Sequence, residues 1–214
     1  MYRHFFKRFF DIIFAILALI LTSPILLITA IAIKAESKGP VIFVQKRVGK
    51  NGKVYDMYKF RSMCVGAEQQ EGGVFCTKGD ARVTKVGAFI RATSIDELPQ
   101  AVNILKGEMS IIGPRPVLTY YPKNWEDYTE EELKRFDVLP GITGWAAVHG
   151  RKTNTVEARF AYDNYYVENL SMWLDIKIFF MTIKSVVTNE GNEDDGSAEV
   201  KKSESENKEE TVKK

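Results

Sequence analysis

Residues Ile12 to Ile33 run IIFAILALILTSPILLITAIAI without a charge. At about 1.5 Å rise per residue, such a helix reaches about 33 Å, enough to cover the hydrocarbon core of a bilayer. The run is too long for a cleaved signal peptide and has no small-residue cleavage site at its end. Pro24 lies near its middle, where it removes one helical hydrogen bond, and the hydroxyls of Thr22 and Ser23 stand ready to take up freed carbonyls. Basic residues flank both ends: Arg3, Lys7 and Arg8 before, Lys34 and Lys38 after. Such residues favour the cytoplasmic side, so both ends ask for the same side. A helix–break–helix hairpin entering one leaflet satisfies this pattern. A crossing helix kinked at Pro24 explains the apolar length equally well, and these residues alone do not choose.

Beyond Lys34 the pattern turns to short elements. Val41 to Val44 reads as a strand, Asn51-Gly52 as a hairpin turn, and Lys53 to Phe60 as the returning strand. Val65 to Asp80 is Gly-rich and polar, and reads as a mobile loop. Helices are expected over Val83–Ile90, Glu97–Lys106 (stopped by Gly107), from Thr129 towards Pro140, and over Val156–Val167. Gly113-Pro114-Arg115-Pro116 must be an extended or turning loop. From Ser171 to Val187, Met172, Ile176, Phe179, Phe180, Ile183 and Val187 recur at helical spacing among Asp175, Lys177 and Lys184. With Trp173 near its start, this helix suits a membrane surface, although a packed core helix shows the same period. The predicted class is α+β and mostly helical. It comprises an N-terminal membrane element (1–36), a catalytic body with a small β-hairpin and amphipathic interfacial helices (37–188), and a disordered charged tail (189–214).

Charge sharpens this division. The chain carries 30 Lys and Arg against 28 Asp and Glu, but nine acidic and five basic residues fall after residue 188. The body therefore holds 25 basic against 19 acidic side chains. A basic body beside an apolar helix fits anionic headgroups or phosphorylated substrates, and no nucleic-acid motif accompanies it. Cys64 and Cys76 lack a CxxC arrangement and read as reduced packing residues.

Candidate chemistry concentrates in Arg91 to Gln100. Pro99 places a helix start near Asp96, where the helix dipole favours an ionised carboxylate. Adjacent Asp96 and Glu97 point about 100° apart on a helix, so one can attack phosphorus while the other holds a cation or proton. Arg91 and Arg115 supply positive charge, and the flanking Pro114 and Pro116 stiffen the Arg115 backbone. Lys59 and Arg61, two apart on a strand, share a face that suits a diphosphate. The plainer alternatives are that Asp96 caps the helix, or that Ser94 and Glu97 form a capping box. They also include loop or solvated roles for the cations and a non-catalytic His149. Walker, GxGxxG, HExxH, GxSxG and Asp-x-Asp patterns are absent from the sequence.

Taken together, several motifs make the sequence similar to the small monotopic phosphoglycosyl transferases of the bacterial sugar transferase family. They are Lys7-Arg8…Asp11, Ser23-Pro24, Lys59-Phe60-Arg61-Ser62-Met63, Ser94-Ile95-Asp96-Glu97-Leu98-Pro99-Gln100, the stretch Gly107–Pro116, Pro140-Gly141-Ile142-Thr143-Gly144, and Tyr162-Asp163…Tyr165-Tyr166. They follow the family's order over residues 1 to about 187. The lack of a large N-terminal helical module resembles the minimal form, closest to transferases that initiate bacterial glycoprotein glycans.

The resemblance implies a re-entrant helix broken at Ser23-Pro24 and a body on the cytoplasmic face of the bacterial inner membrane. It implies magnesium held at Asp96 and Glu97, and a ping-pong transfer of sugar 1-phosphate from a UDP-sugar to undecaprenyl phosphate, releasing UMP. Asp96 would be the nucleophile and Glu97 its assistant. Lys59, Arg61, Arg91, Gln100, Pro114, Arg115 and Arg151 would bind substrate or phosphate, and downstream glycosyltransferases are conceivable partners. Trp145 to Arg151 departs from the family's usual Leu-Ala-Gln-Val-Asn-Gly-Arg, which leaves nucleotide or sugar contacts there open. A membrane adaptor, or a conventional glycosyltransferase releasing UDP, is the competing reading.

Overall fold

A computed structural model describes residues 2–69, 79–149 and 155–188. Arg151, Cys76, the centre of the Gly-rich loop near Gly72 and the acidic tail lie outside these residues. Helix α1 (Lys7–Glu36) follows one π-helical turn and continues through Pro24. It is a single helix, not the two separated segments that the hairpin reading expects. The physical reason is local. Pro24 leaves the Ile20 carbonyl without its helical donor, and the Ser23 hydroxyl donates to that carbonyl at 2.8 Å. Thr22 likewise donates to Ala18 O at 2.7 Å.

One stripe of α1 faces the body. Lys7, Asp11, Ala15, Thr29 and Ile33 are buried, and Leu19 and Leu26 are partly buried against core clusters between them. Both ends are fastened. Near the start, Arg8 donates to Ile104 O, and Asp11 accepts from Ser110 Oγ and the Ile111 amide, both at 3.0 Å. At the far end, Glu36 accepts the backbone amides of Lys85 and Val86. The remaining faces leave Phe14, Ile20, Leu21, Leu27 and Ile28 in the open, Leu21 at 75% exposure.

Strands β1 (Ile42–Val48) and β2 (Val54–Phe60) form the antiparallel hairpin, longer at its first strand than expected. Asn51 and Gly52 take the left-handed backbone that the turn requires. Short β4 (Val117–Leu118) adds beside β1, pairing at Arg47 and Val48, to give the order β2-β1-β4. Helix α2 (Lys85–Ala92) begins with a Thr84 cap, and α3 (Gln100–Lys106) is ended by left-handed Gly107. The expected single helix from Glu97 is instead a 3-10 turn, Ile95–Glu97, followed by α3. Strands β3 (Ser110–Ile112) and β5 (Gly141–Thr143) pair in parallel. This pairing brings Gly113 against Gly141 so closely that a Cβ on Gly141 would lie 2.1 Å from the Gly113 nitrogen.

Thr129 and Glu132 form a capping box on α4 (Glu130–Leu133), which passes into a 3-10 turn over Lys134–Asp137. Helices α5 (Trp145–His149), α6 (Val156–Glu168) and α7 (Met172–Val187) complete the body. On α7 the amphipathic pattern is turned outward. Asp175 and Ile178 are buried, whereas Trp173, Phe179, Phe180, Ile183 and Val186 are exposed. This face lies outside the core of the body, so the core-helix reading of this segment does not hold. Asp175 is held inside by Lys7 Nζ at 2.8 Å, Tyr2 OH at 2.6 Å and Tyr166 OH at 2.8 Å, tying α7 to the start of α1. The two outward apolar surfaces, on α1 and α7, thus belong to elements joined through one buried carboxylate.

Candidate active site

Ser94 adopts a left-handed backbone, φ 56°, at the head of the Ile95–Glu97 turn, and its side chain makes no cap bond. Pro99 takes the position before α3 and has no side-chain acceptor to cap with. Neither the capping box nor the Asp96 cap is therefore formed. The left-handed backbone at Ser94 costs roughly 1 kcal/mol or more for a non-glycine residue.

Lys59, at the end of β2, donates to Glu97 Oε1 at 2.9 Å, and both side chains are largely buried. Asp96 sits beside this pair. Burial pushes the Asp96 carboxyl up to about 6; Lys59 and Arg91 pull it down, and Glu97 pushes it further up. Desolvation outweighs the helix-dipole effect expected from sequence, because the turn here is one short 3-10 stretch and the carboxyl is withdrawn from water. At neutral pH most Asp96 is still ionised, and it is more basic than an exposed aspartate. Gln100, the first residue of α3, is buried.

Arg61 does not join this cluster. The strand ends at Phe60, and the Arg61 guanidinium turns to the C-terminal end of α1. There it donates to Lys38 O at 2.6 Å and to Ser37 O and Oγ at 2.9 Å. It is 5% exposed and satisfies helix-end carbonyls rather than facing Lys59's partners.

Arg115 belongs to a second cluster. Its side chain is exposed while Pro114 and Pro116 are buried. The charges acting on Asp96 most strongly are those of Lys59, Glu97 and Arg91, whereas Arg115 acts on Arg47 and on Asp163. Burial, then the Arg115 charge, lowers Arg47 to about 10. In the sheet, Lys59 pairs with Phe43, whereas β4, directly after Pro116, pairs at Arg47 and Val48. Arg47 lies four residue steps of strand beyond Phe43, or about 14 Å, so the two clusters stand toward opposite ends of the sheet.

Three residues of the second cluster were not singled out from sequence for chemistry: Arg47, Arg135 and Asp163. Arg135 and Asp163 form an ion pair at 2.6 Å, each side chain 1% exposed. Tyr162-Asp163 is visible as a motif, but nothing in the acidic stretch around Arg135 marks it as buried. His149 packs at a tilt against Trp145 with ring centroids 3.8 Å apart and stacks on Tyr162 at 5.8 Å, and its Nδ1 lies 3.0 Å from Trp145 O. It is thus part of an aromatic stack.

Magnesium can be tested against the donor set. Among the described residues no group of three or more acidic, cysteine or histidine side chains gathers. The adjacent Asp96 and Glu97 offer two carboxylates, which is what magnesium takes when substrate phosphates supply further oxygens. The residues fit a site of that shared kind.

Comparison with known proteins follows the same lines. Over 190 residues the chain is 47% identical to a UDP-N-acetylgalactosamine-undecaprenyl-phosphate N-acetylgalactosaminephosphotransferase of Aeromonas hydrophila, covering 87% of this chain and 45% of that protein. It is 48% identical to a UDP-glucose:undecaprenyl-phosphate glucose-1-phosphate transferase of Klebsiella pneumoniae, covering 83% of this chain and 39% of that protein. The chain therefore spans less than half the length of these two relatives. With an uncharacterized sugar transferase EpsL of Bacillus subtilis it shares 42% identity over 86% of this chain and 89% of that protein. The family model for bacterial sugar transferases matches residues 2–189, and on that match and these identities the chain belongs to the bacterial sugar transferase family.

Proposed function

We propose that this protein is a phosphoglycosyl transferase that moves a sugar 1-phosphate from a UDP-sugar to undecaprenyl phosphate and releases UMP. The observation that carries this reading is a withdrawn Asp96 carboxyl, raised to about 6, beside the Lys59–Glu97 pair and Arg91. Relatives named for sugar-phosphate transfer to undecaprenyl phosphate support the substrate classes.

The chemistry is a double displacement. An Asp96 oxygen attacks the phosphorus that carries the sugar, and the bond from that phosphorus to the bridging oxygen breaks. UMP leaves with that oxygen and its electron pair, and the phosphosugar remains on Asp96 as an acyl phosphate. A phosphate oxygen of undecaprenyl phosphate then attacks the same phosphorus and expels the Asp96 carboxylate. Lys59 and Arg91 hold Asp96 ionised and offset charge on the phosphoryl oxygens. Glu97 and Asp96 are the residues that would hold magnesium, which would supply positive charge against phosphate oxygens. Arg115, about 14 Å further along the sheet, suits a part of the UDP-sugar away from the reacting phosphorus, with Pro114 stiffening its loop. Gln100 and Arg151 complete the substrate-binding set. Arg61 acts at one remove, by fixing the end of α1.

The membrane arrangement follows from α1. Both its ends are fastened to one body, and its free faces are apolar, so we place the helix in one leaflet with both ends cytoplasmic. The outward face of α7 lies at the same surface, on the inner membrane. This is a re-entrant arrangement whose helix passes Pro24 continuously. A greasy acceptor keeps its phosphate at headgroup depth, which is where Asp96 must then stand.

The test is incubation of a UDP-sugar panel with undecaprenyl phosphate and magnesium, read by nucleotide product. UMP is expected, lost on chelation and restored by magnesium; UDP would point to a conventional glycosyltransferase, and neither product to an adaptor. Mass spectrometry of enzyme trapped without lipid acceptor should place a phosphosugar on Asp96.

A further inference from the structure

The loop Pro114-Arg115-Pro116 has two prolines and so few backbone donors of its own. Its three consecutive carbonyls are nevertheless all engaged, each by a different element. Pro114 O accepts the Gly141 amide of β5 at 2.9 Å. Arg115 O accepts Arg135 Nη2 at 2.8 Å, and Pro116 O accepts Arg47 Nη1 at 3.0 Å. We propose that Arg47 and Arg135 are positioning residues, which clamp this loop by its backbone so that the exposed Arg115 guanidinium is presented to substrate at a fixed place. The inference rests on the reading of Arg115 as a substrate contact.

Each clamp is itself held. Arg135 donates to Asp163 Oδ2 through Nε at 3.1 Å and Nη2 at 2.6 Å, and its guanidinium lies over the rings of Phe160 and Phe136 at 4.4 and 5.2 Å. Arg47 Nε donates to Gln45 Oε1 at 3.0 Å, leaving Nη1 for the loop. A buried ion pair such as Arg135–Asp163 is a weak source of stability compared with well-packed apolar side chains. What an apolar pair could not do is hold the Arg115 carbonyl. Arg47 also brings positive charge near Arg115, an arrangement unfavourable to the empty protein and favourable once an anion arrives. Arginine suits the task because one planar fork reaches an anchor and the loop together.

The experiment is a double-variant cycle on the full chain, using saturating undecaprenyl phosphate with magnesium and reading steady-state UMP release across UDP-sugar concentrations. Arg115→Ala should raise KM by roughly 10- to 100-fold, the range for a lost charge-assisted contact. Arg47→Met should raise KM several-fold with little change in kcat, and Arg47→Lys should recover part of that loss. In the Arg115→Ala background, Arg47→Met should add almost nothing. Arg135→Met tests the second clamp, and Arg47→Met keeps the inference open to refutation if the Arg135 variant does not fold. Additive losses, or an Arg47→Met enzyme with wild-type KM, would overturn the positioning role while leaving Arg115 as a substrate contact. An unchanged KM in Arg115→Ala would remove that contact, and the clamp with it.

Discussion

The Ser23 hydroxyl donates to the Ile20 carbonyl at 2.8 Å, the acceptor that Pro24 deprives of its helical N–H. Proline and its remedy are therefore adjacent in sequence. Ser23→Ala should leave that carbonyl unpaired on an apolar surface, at a cost of about 1–2 kcal/mol. The expected result is a fall in Tm of roughly 2–6 °C in detergent or nanodisc. Thr22→Ala should cost less, because the Ala18 carbonyl that Thr22 bonds keeps its ordinary helical donor. Equal losses at both positions would count against the account.

The elevated Asp96 carboxyl predicts a pH profile. If the ionised form attacks, kcat/KM for the first half-reaction should rise with pH through about 6 and level above it. Lys59 lowers the Asp96 value and Glu97 raises it. Lys59→Met should therefore move the limb to higher pH, and Glu97→Gln should move it lower. Movement of both variants in the same direction would contradict this electrostatic assignment.

Asp96→Asn is expected to cut UMP release by at least about 10³-fold, since the amide cannot form the acyl phosphate. Membrane association should persist, because in the proposed arrangement α1 and α7 carry it and neither contains the altered residue. Wild-type turnover in this variant would remove Asp96 as nucleophile.

Topology is open to a labelling test. In a background with Cys64 and Cys76 replaced by serine, single cysteines at Phe5 and Lys38 mark the two ends of the long helix. An impermeant maleimide should reach both in inverted inner-membrane vesicles and neither in intact spheroplasts. Labelling of one end from each side would show a crossing helix.

Asp163→Ala should leave Arg135 charged and buried without its partner. Breaking such a pair costs about 3–5 kcal/mol, so Tm should drop by roughly 8–15 °C. Asp163→Asn keeps an acceptor for the guanidinium and should lose less. Indifference of Tm to both changes would mean that this pair carries no structural weight.

Much of the fold is legible in the sequence. The 22-residue apolar run, the Asn51-Gly52 hairpin and the period of α7 each follow from short-range spacing, and the structure contains a helix, a turn and a helix at those places. The cluster of Asp96 and Glu97 could be suspected because both lie in one motif. Arg61 went astray for an equally local reason: alternation on a strand puts it beside Lys59, but the strand stops one residue earlier and its guanidinium turns to α1.

What the chain determined by itself is whatever neighbouring residues settle among themselves: apolar length, helical period, turn preference and the pairing of Ser23 with Pro24. Tertiary structure decided whatever depends on distance along the chain. Arg135 meets Asp163 across 28 residues, Asp11 meets Ser110 across 99, and Lys7 meets Asp175 across 168. Burial likewise arises only when these segments close together. The ionisation of Asp96, set by desolvation over the local dipole, is therefore a property of the assembled fold.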